Sequence, residues 1–330
     1  MNSEMKVAVA SRKRSDFDYS GYFREMRLIH DLTILPGDRR WRAVPPTRPE
    51  PHKVVLYLGC NVLRTSHMVS TISDILDLLG VDYVAVGGPA YCCGIVHHRY
   101  GDTELSQAMG ANAVRYLERF EPERVLMWCP SCIYFYDEVF QVPASFQTQH
   151  VTEFLVEQLA KLRFVRELPK RVALHYHCNR PRRLQEAQAA ETLLAAVPGL
   201  KMVKLDSDMR LDRSCSELLQ QTLGLSAWQE IVEGQVSQAL EGGADTFATL
   251  YHGCQRLICS YEERYPLTFE HYLTVFARAL GIEHEDKYKK YRLWRDPQRV
   301  LAEMAPCMQA NGVREQEAQL VVRRTFPEKD

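Results

Sequence analysis

The chain has 330 residues, 46% of them hydrophobic and 25% charged; that is enough for about two domains of roughly 150 residues, with real cores and no need of disulfide staples. Its 41 Lys and Arg face 42 Asp and Glu, which excludes the basic footprint a nucleic-acid partner needs. No apolar stretch approaches the ~20 residues that span a bilayer.

The N-terminal sequence, MNSEMKVAVASRKRSDFDYS, has no long apolar run before a small-residue cleavage site. The chain is therefore expected in a reducing compartment, the cytoplasm. There, clustered cysteines bind metal or do chemistry more often than they form disulfide frameworks. Residues 1–52 form an expected arm, with a short helix over 22–35 and a stiff linker through Pro45, Pro46, Pro49 and Pro51. The arm either wraps the surface or docks a partner subunit.

Residues 53–150 read as a first unit. A short apolar strand at 53–58 enters Gly59-Cys60, and Met68, Ile72, Ile75, Leu76 and Leu79 recur at helical spacing. A strand at 81–86 leads to Tyr91-Cys92-Cys93-Gly94. Leu105, Met109, Ala113, Leu117 and Phe120 mark a second helix, and a strand at 124–128 delivers Cys129-Pro130-Ser131-Cys132. Alternating strands and helices predict an α/β unit with a mostly parallel sheet. Each cysteine group then lies just past the C-terminal end of a strand, where open α/β sheets place ligands.

Residues 151–265 repeat this order. A strand at 171–176 enters His177-Cys178, with a helix over 182–196. A strand at 202–205 approaches Ser214-Cys215-Ser216, and a helix covers 228–240. A strand at 246–251 delivers His252-Gly253-Cys254, with Cys259 five residues on. VVLYLGC parallels VALHYHC, and RVLMWCPSC parallels TFATLYHGCQRLIC. The pattern predicts an internal duplication. Residues 266–330 are expected to be a charged, helical extension carrying Cys307.

Five thiols, Cys60, Cys92, Cys93, Cys129 and Cys132, thus fall on one edge. Thiolates are soft ligands and select iron–sulfur chemistry, zinc or copper(I). The competing readings are a structural zinc site, which leaves one cysteine over, and a vicinal disulfide between Cys92 and Cys93, which needs strained geometry. His97 and His98 are candidate proton donors beside the Cys-Cys-Gly turn, or else a capping pair. Arg180, Arg182 and Arg183 follow Cys178 and could attract an anion.

The spacing of Cys60, Cys92-Cys93-Gly94 and Cys129-x-x-Cys132 resembles the cysteine-rich CCG domain. Paired domains of this kind resemble the B-type polypeptide of heterodisulfide reductase and its relatives in bacterial sulfur-oxidising complexes. The domain also occurs in iron–sulfur subunits of glycolate and lactate oxidases. The resemblance covers about 53–265. It implies a noncubane [4Fe–4S] cluster on the first five cysteines and thiol/disulfide or sulfur-transfer redox chemistry there. It also implies partner subunits A and C, of flavin and ferredoxin type, with a lipoyl carrier as a substrate partner.

The second copy departs from the pattern, with Ser214-Cys215-Ser216 for Cys-Cys-Gly and four residues between Cys254 and Cys259. Cys178, Cys215, Cys254 and Cys259 suffice for a cubane [4Fe–4S] cluster or a zinc site, with His175, His177 and His252 as substitute ligands. No C-x-x-C-x-x-C-x-x-x-C-P run and no G-x-G-x-x-G after a strand occur, so electrons are expected to pass to a separate protein. The alternatives are an electron-relay subunit of a 2-hydroxy-acid dehydrogenase and a zinc-stabilised assembly protein.

Overall fold

The computed structural model describes residues 17–140, 143–175, 181–206 and 217–328. The alternating pattern becomes two four-stranded parallel sheets of identical order. In the first, β1 (Val54–Gly59), β2 (Tyr83–Gly87), β3 (Arg124–Met127) and β4 (Gln147–His150) are arranged β2-β1-β3-β4. Val54 pairs with Tyr83 on one side and Arg124 on the other. In the second, β5 (Arg171–His175), β6 (Lys201–Val203), β7 (Thr246–Thr249) and β8 (Thr268–His271) are arranged β6-β5-β7-β8. The α/β class and the duplication expected from the sequence are both present.

Parallel strands need crossovers, and helices supply them. After α1 (Tyr19–Thr33) the first unit contains α2 (Ser66–Leu78), α3 (Ile95–Arg99), α4 (Thr103–Glu118), α5 (Pro130–Tyr134) and α6 (Val151–Gln158). The second contains α7 (Pro181–Ala195), α8 (Glu217–Leu223), α9 (Leu225–Glu241), α10 (His252–Ile258) and α11 (Tyr272–Ala279). The chain ends in α12 (Lys287–Trp294), α13 (Pro297–Ala310) and α14 (Glu315–Thr325). Because helices cover both faces, β1 is buried along its whole length and reads as a continuous apolar run rather than an alternating one.

Sequence periodicity missed β4 and β8, the fourth strand of each sheet. Each ends in a histidine that caps the helix after it. His150 Nδ1 accepts the Thr152 N–H at 3.2 Å, and His271 Nδ1 accepts the Leu273 N–H at 3.3 Å. The same device at the same place in both halves is independent support for duplication. One core runs through both halves, from Val55, Leu56 and Phe154 to Val172, Phe247 and Phe276. The buried Thr152 and Tyr272 hydroxyls meet across it at 2.7 Å.

A second apolar cluster joins Leu28, Ile29 and Leu32 of α1 to Tyr291, Val300, Met304, Val322 and Phe326 of the C-terminal helices. The linker also packs. Arg42 adds a parallel bridge to Val86, with Arg42 N–H to Ala85 O at 2.9 Å. This covers the outer edge of β2, which would otherwise present unpaired backbone groups.

Candidate metal centre

Since β2, β1 and β3 are adjacent and parallel, their C-terminal ends deliver three loops to one place. Cys60 directly follows β1, Cys92 and Cys93 close the 3-10 turn Pro89–Tyr91, and Cys129 caps α5, which carries Cys132. All five are buried. The Cys93 and Cys132 sulfurs lie 3.4 Å apart, and the Gly94 N–H points at Cys92 Sγ from 3.5 Å. Cys60 contacts Cys92, Cys92 contacts Cys93, and Cys129 contacts Cys132. The sulfurs are linked pair by pair; among the described residues no three His, Cys, Asp or Glu side chains close on a single ion.

Two glycines permit this approach. Gly59 has φ +62°, and a Cβ there would lie 3.1 Å from Cys132 Sγ. Gly94 has φ +92°, and a Cβ there would lie 2.3 Å from the Ser106 carbonyl oxygen of α4. The third residue of Cys-Cys-Gly is thus fixed by the left-handed backbone and by the helix packed over it.

Charge is distributed unevenly over the thiols. The Cys60 thiol, then Cys93 and the Gly94 N–H, hold Cys92 well below an ordinary thiol pKa. The Cys132 thiol, followed by His252, does the same for Cys129. Donating to these neighbours pushes Cys60 and Cys132 well up, and burial does so for Cys93. Five buried thiols cannot all ionise without a counter-charge, because each added thiolate is desolvated and repelled by the others. A cationic metal group would supply that charge, and a soft, buried, all-thiol donor set fits thiolate-bound iron.

The two candidate histidines separate. His97 is buried, stacks on Tyr19 at 3.8 Å between ring centroids, and lies near enough to Cys92 to favour its thiolate. His98 packs edge-on to Phe135 at 6.2 Å instead. Helix α1 covers the site: Met26, with Tyr22 and Phe23, packs on Cys60 and Cys92. A cavity of about 400 Å³ opens beside Cys60, Cys129 and Cys132, its other wall carrying Tyr251, His252 and Arg256 of the second half.

Cys178 and Cys215 lie outside the described residues, as do His177 and Arg180 and the side chains of Arg182 and Arg183. His175 is buried, with Nδ1 2.5 Å from Gln235 Oε1. Cys254 and Cys259 are both fully buried, but in different surroundings. Val54 pairs with Arg124 in the first sheet and Val172 with Thr246 in the second. Counting on from these pairs puts Cys254 at the place of Cys132 and Tyr251, not a cysteine, at the place of Cys129. Cys259 instead joins the C-terminal helical cluster. Its sulfur donates to the Arg256 carbonyl at 3.8 Å, and burial pushes its pKa up to about 12. Cys307 is buried in α13, far along the chain from either motif.

Residues 54–135 match the CCG cysteine-rich domain family. The chain is 23% identical over 271 residues to the D-type polypeptide of dihydromethanophenazine:CoB–CoM heterodisulfide reductase from Methanosarcina acetivorans, covering 78% of this chain and 66% of that protein. It is 24% identical over 162 residues to the EtfAB:quinone oxidoreductase of Syntrophomonas wolfei, covering 48% of this chain and 21% of that one. The chain therefore spans slightly less than two thirds of the heterodisulfide reductase polypeptide and about a fifth of the quinone oxidoreductase. Among solved structures, an aspartate racemase from Picrophilus torridus aligns at 15% identity over 72% of this chain and 98% of its own, with a TM-score of 0.32. That likeness is too slight to carry an argument. No helix among the described residues is long and apolar enough to cross a membrane.

Proposed function

We propose that the chain is an iron–sulfur redox subunit of heterodisulfide reductase type, acting on thiol/disulfide or sulfur-transfer substrates within a multi-subunit complex. The observation that carries this is the convergence of Cys60, Cys92, Cys93, Cys129 and Cys132, all buried, on one edge of a parallel sheet. These five would hold a noncubane [4Fe–4S] cluster. When bound, such a cluster supplies one-electron chemistry and iron with affinity for sulfur.

The protein's own groups do the rest. The Gly94 N–H stabilises charge on Cys92 Sγ, and His97 is placed to hold a proton on the same side. Met26 and Tyr22 of α1 keep bulk water from Cys60 and Cys92. The cavity gives a small substrate access to the Cys60, Cys129 and Cys132 edge. In the second half, Cys254 with Cys178 and Cys215 would hold a [4Fe–4S] cluster or zinc, and Cys259, which packs in the C-terminal helical cluster, would be a core thiol. The partners would be flavin- and ferredoxin-type subunits A and C, with a lipoyl carrier as a further partner, in the cytoplasm.

The test is turnover by anaerobically purified protein with a viologen dye as electron carrier. Reduction of small disulfides, abolished by Cys93→Ser, is expected. Dye-linked oxidation of lactate or glycolate without disulfide activity would replace this reading with a 2-hydroxy-acid electron relay.

A further inference from the structure

His252 is the first residue of α10 and belongs to the second half, yet it meets the thiols of the first. Strand register puts Tyr251 at the place of Cys129, so His252 falls at the place of Pro130, the first residue of α5. Both helix starts line the cavity beside Cys60, Cys129 and Cys132. His252 is buried, at 4% exposure, and its Nδ1 has no hydrogen-bond partner among the described residues. Buried polar atoms are costly unless paired, so the contacts this imidazole does make carry its reason for being there. It contacts the Cys129 sulfur and favours the thiolate form.

Three groups favour that thiolate: the Cys132 thiol, His252 and the Cys132 backbone N–H. The first is lost when metal binds, because both sulfurs must then be deprotonated. Cys129 is left with one backbone N–H and His252. Cys92, by contrast, keeps the Gly94 N–H of its own turn at 3.5 Å. Donors aimed at ligand sulfurs stabilise the reduced state more than the oxidised one, since reduction adds negative charge there.

We propose that His252 is a positioning residue of the first metal centre: its ring N–H donates to Cys129 Sγ and raises the centre's reduction potential. Its role is then at the thiols of the first half, and not as a substitute ligand in the second. Where the second half has Tyr251 in place of a cysteine, the next residue serves the other repeat. The inference rests on the iron–sulfur reading above and assigns a residue to it from outside the matched cysteine pattern.

The test measures iron and acid-labile sulfide per chain, with the midpoint of an anaerobic redox titration followed by electron paramagnetic resonance. It uses the full-length wild type, His252→Leu, His252→Asn and His252→Gln. Leucine has no donor, whereas the Asn and Gln amides offer an N–H near the places of Nδ1 and Nε2. His252→Leu is expected to keep its iron and to be about tenfold harder to reduce, ~59 mV lower for one electron. One of the two amides should recover at least half of that shift, which a packing role would not. Iron lost from a folded His252→Leu, judged by circular dichroism, would make His252 a ligand and overturn the proposal. If His252→Leu fails to fold, nitrogen couplings of the reduced centre decide, in ¹⁵N-histidine-labelled wild type and whichever amide variant folds. A weak coupling that disappears on substitution is expected. Identical couplings in both, or a lost one as strong as a bound ligand's, overturns the proposal. Iron present with an unchanged midpoint in His252→Leu sinks this inference alone; a wild type without iron sinks the redox reading and this inference with it.

Discussion

Gly94→Ala probes the reason for the Cys-Cys-Gly turn. The wild-type residue sits at φ +92°, where an L side chain is strained by about 1–2 kcal/mol. The new methyl would also lie 2.3 Å from Ser106 O and 3.0 Å from Ser106 C, both backbone atoms of α4. They cannot rotate away, so the helix must shift, which adds roughly 1–3 kcal/mol. The expected destabilisation is therefore about 2–5 kcal/mol. Gly101 is the control: its φ is +84° and nothing lies within 4 Å of its virtual Cβ. Gly101→Ala should cost only about 1 kcal/mol, strain partly offset by the stiffer unfolded chain. Urea unfolding of both variants, prepared anaerobically, gives the two values at a common slope. Equal losses, within about 0.5 kcal/mol, would refute the claim that contact with α4 fixes this glycine.

Three further outcomes follow. His30, His67 and His271 are buried and held below the ordinary histidine pKa by desolvation. The unfolded chain takes up protons below about pH 6.5 that the folded chain refuses. Stability should therefore be highest above about 6.5 and fall on acidification toward the lowered values, by up to about 1.4 kcal/mol per pH unit for each histidine. Urea midpoints that match at about pH 7.0 and 5.5 would contradict this. Cys259→Ala should lose about 1–2 kcal/mol of stability with iron content unchanged; lost iron would make Cys259 a ligand. Tyr272→Phe should lose about 1–2 kcal/mol by stranding the Thr152 hydroxyl, and adding Thr152→Val should recover part of it. Additive losses would mean the two hydroxyls are not coupled.

The sequence pattern reached the sheets, the duplication and the first five cysteines because each rests on local signals. Apolar runs mark the buried strands, and the cysteine loops follow them directly. The strands β4 and β8 escaped because they are short and, in β4, mostly polar: Gln147 and Thr148 are exposed and Gln149 half-buried, on a strand at the sheet edge. The shared histidine caps at His150 and His271 were the available signal. The counterpart of Cys129 was misaligned for a similar reason. Cysteine identity pointed to Cys254 for Cys129 and to Cys259 for Cys132, whereas strand register puts Tyr251 and Cys254 there. The covering role of α1 depends on contacts between distant segments, which no window of the chain displays.

On the proposed reading, the five thiols hold an iron–sulfur cluster. Its most direct test is iron, zinc and acid-labile sulfide per chain in anaerobically purified protein, for the wild type and Cys93→Ser. About four or more iron with matching sulfide are expected in the wild type, with most of it lost in the variant. Zinc without sulfide, or a variant with unchanged iron, would contradict it.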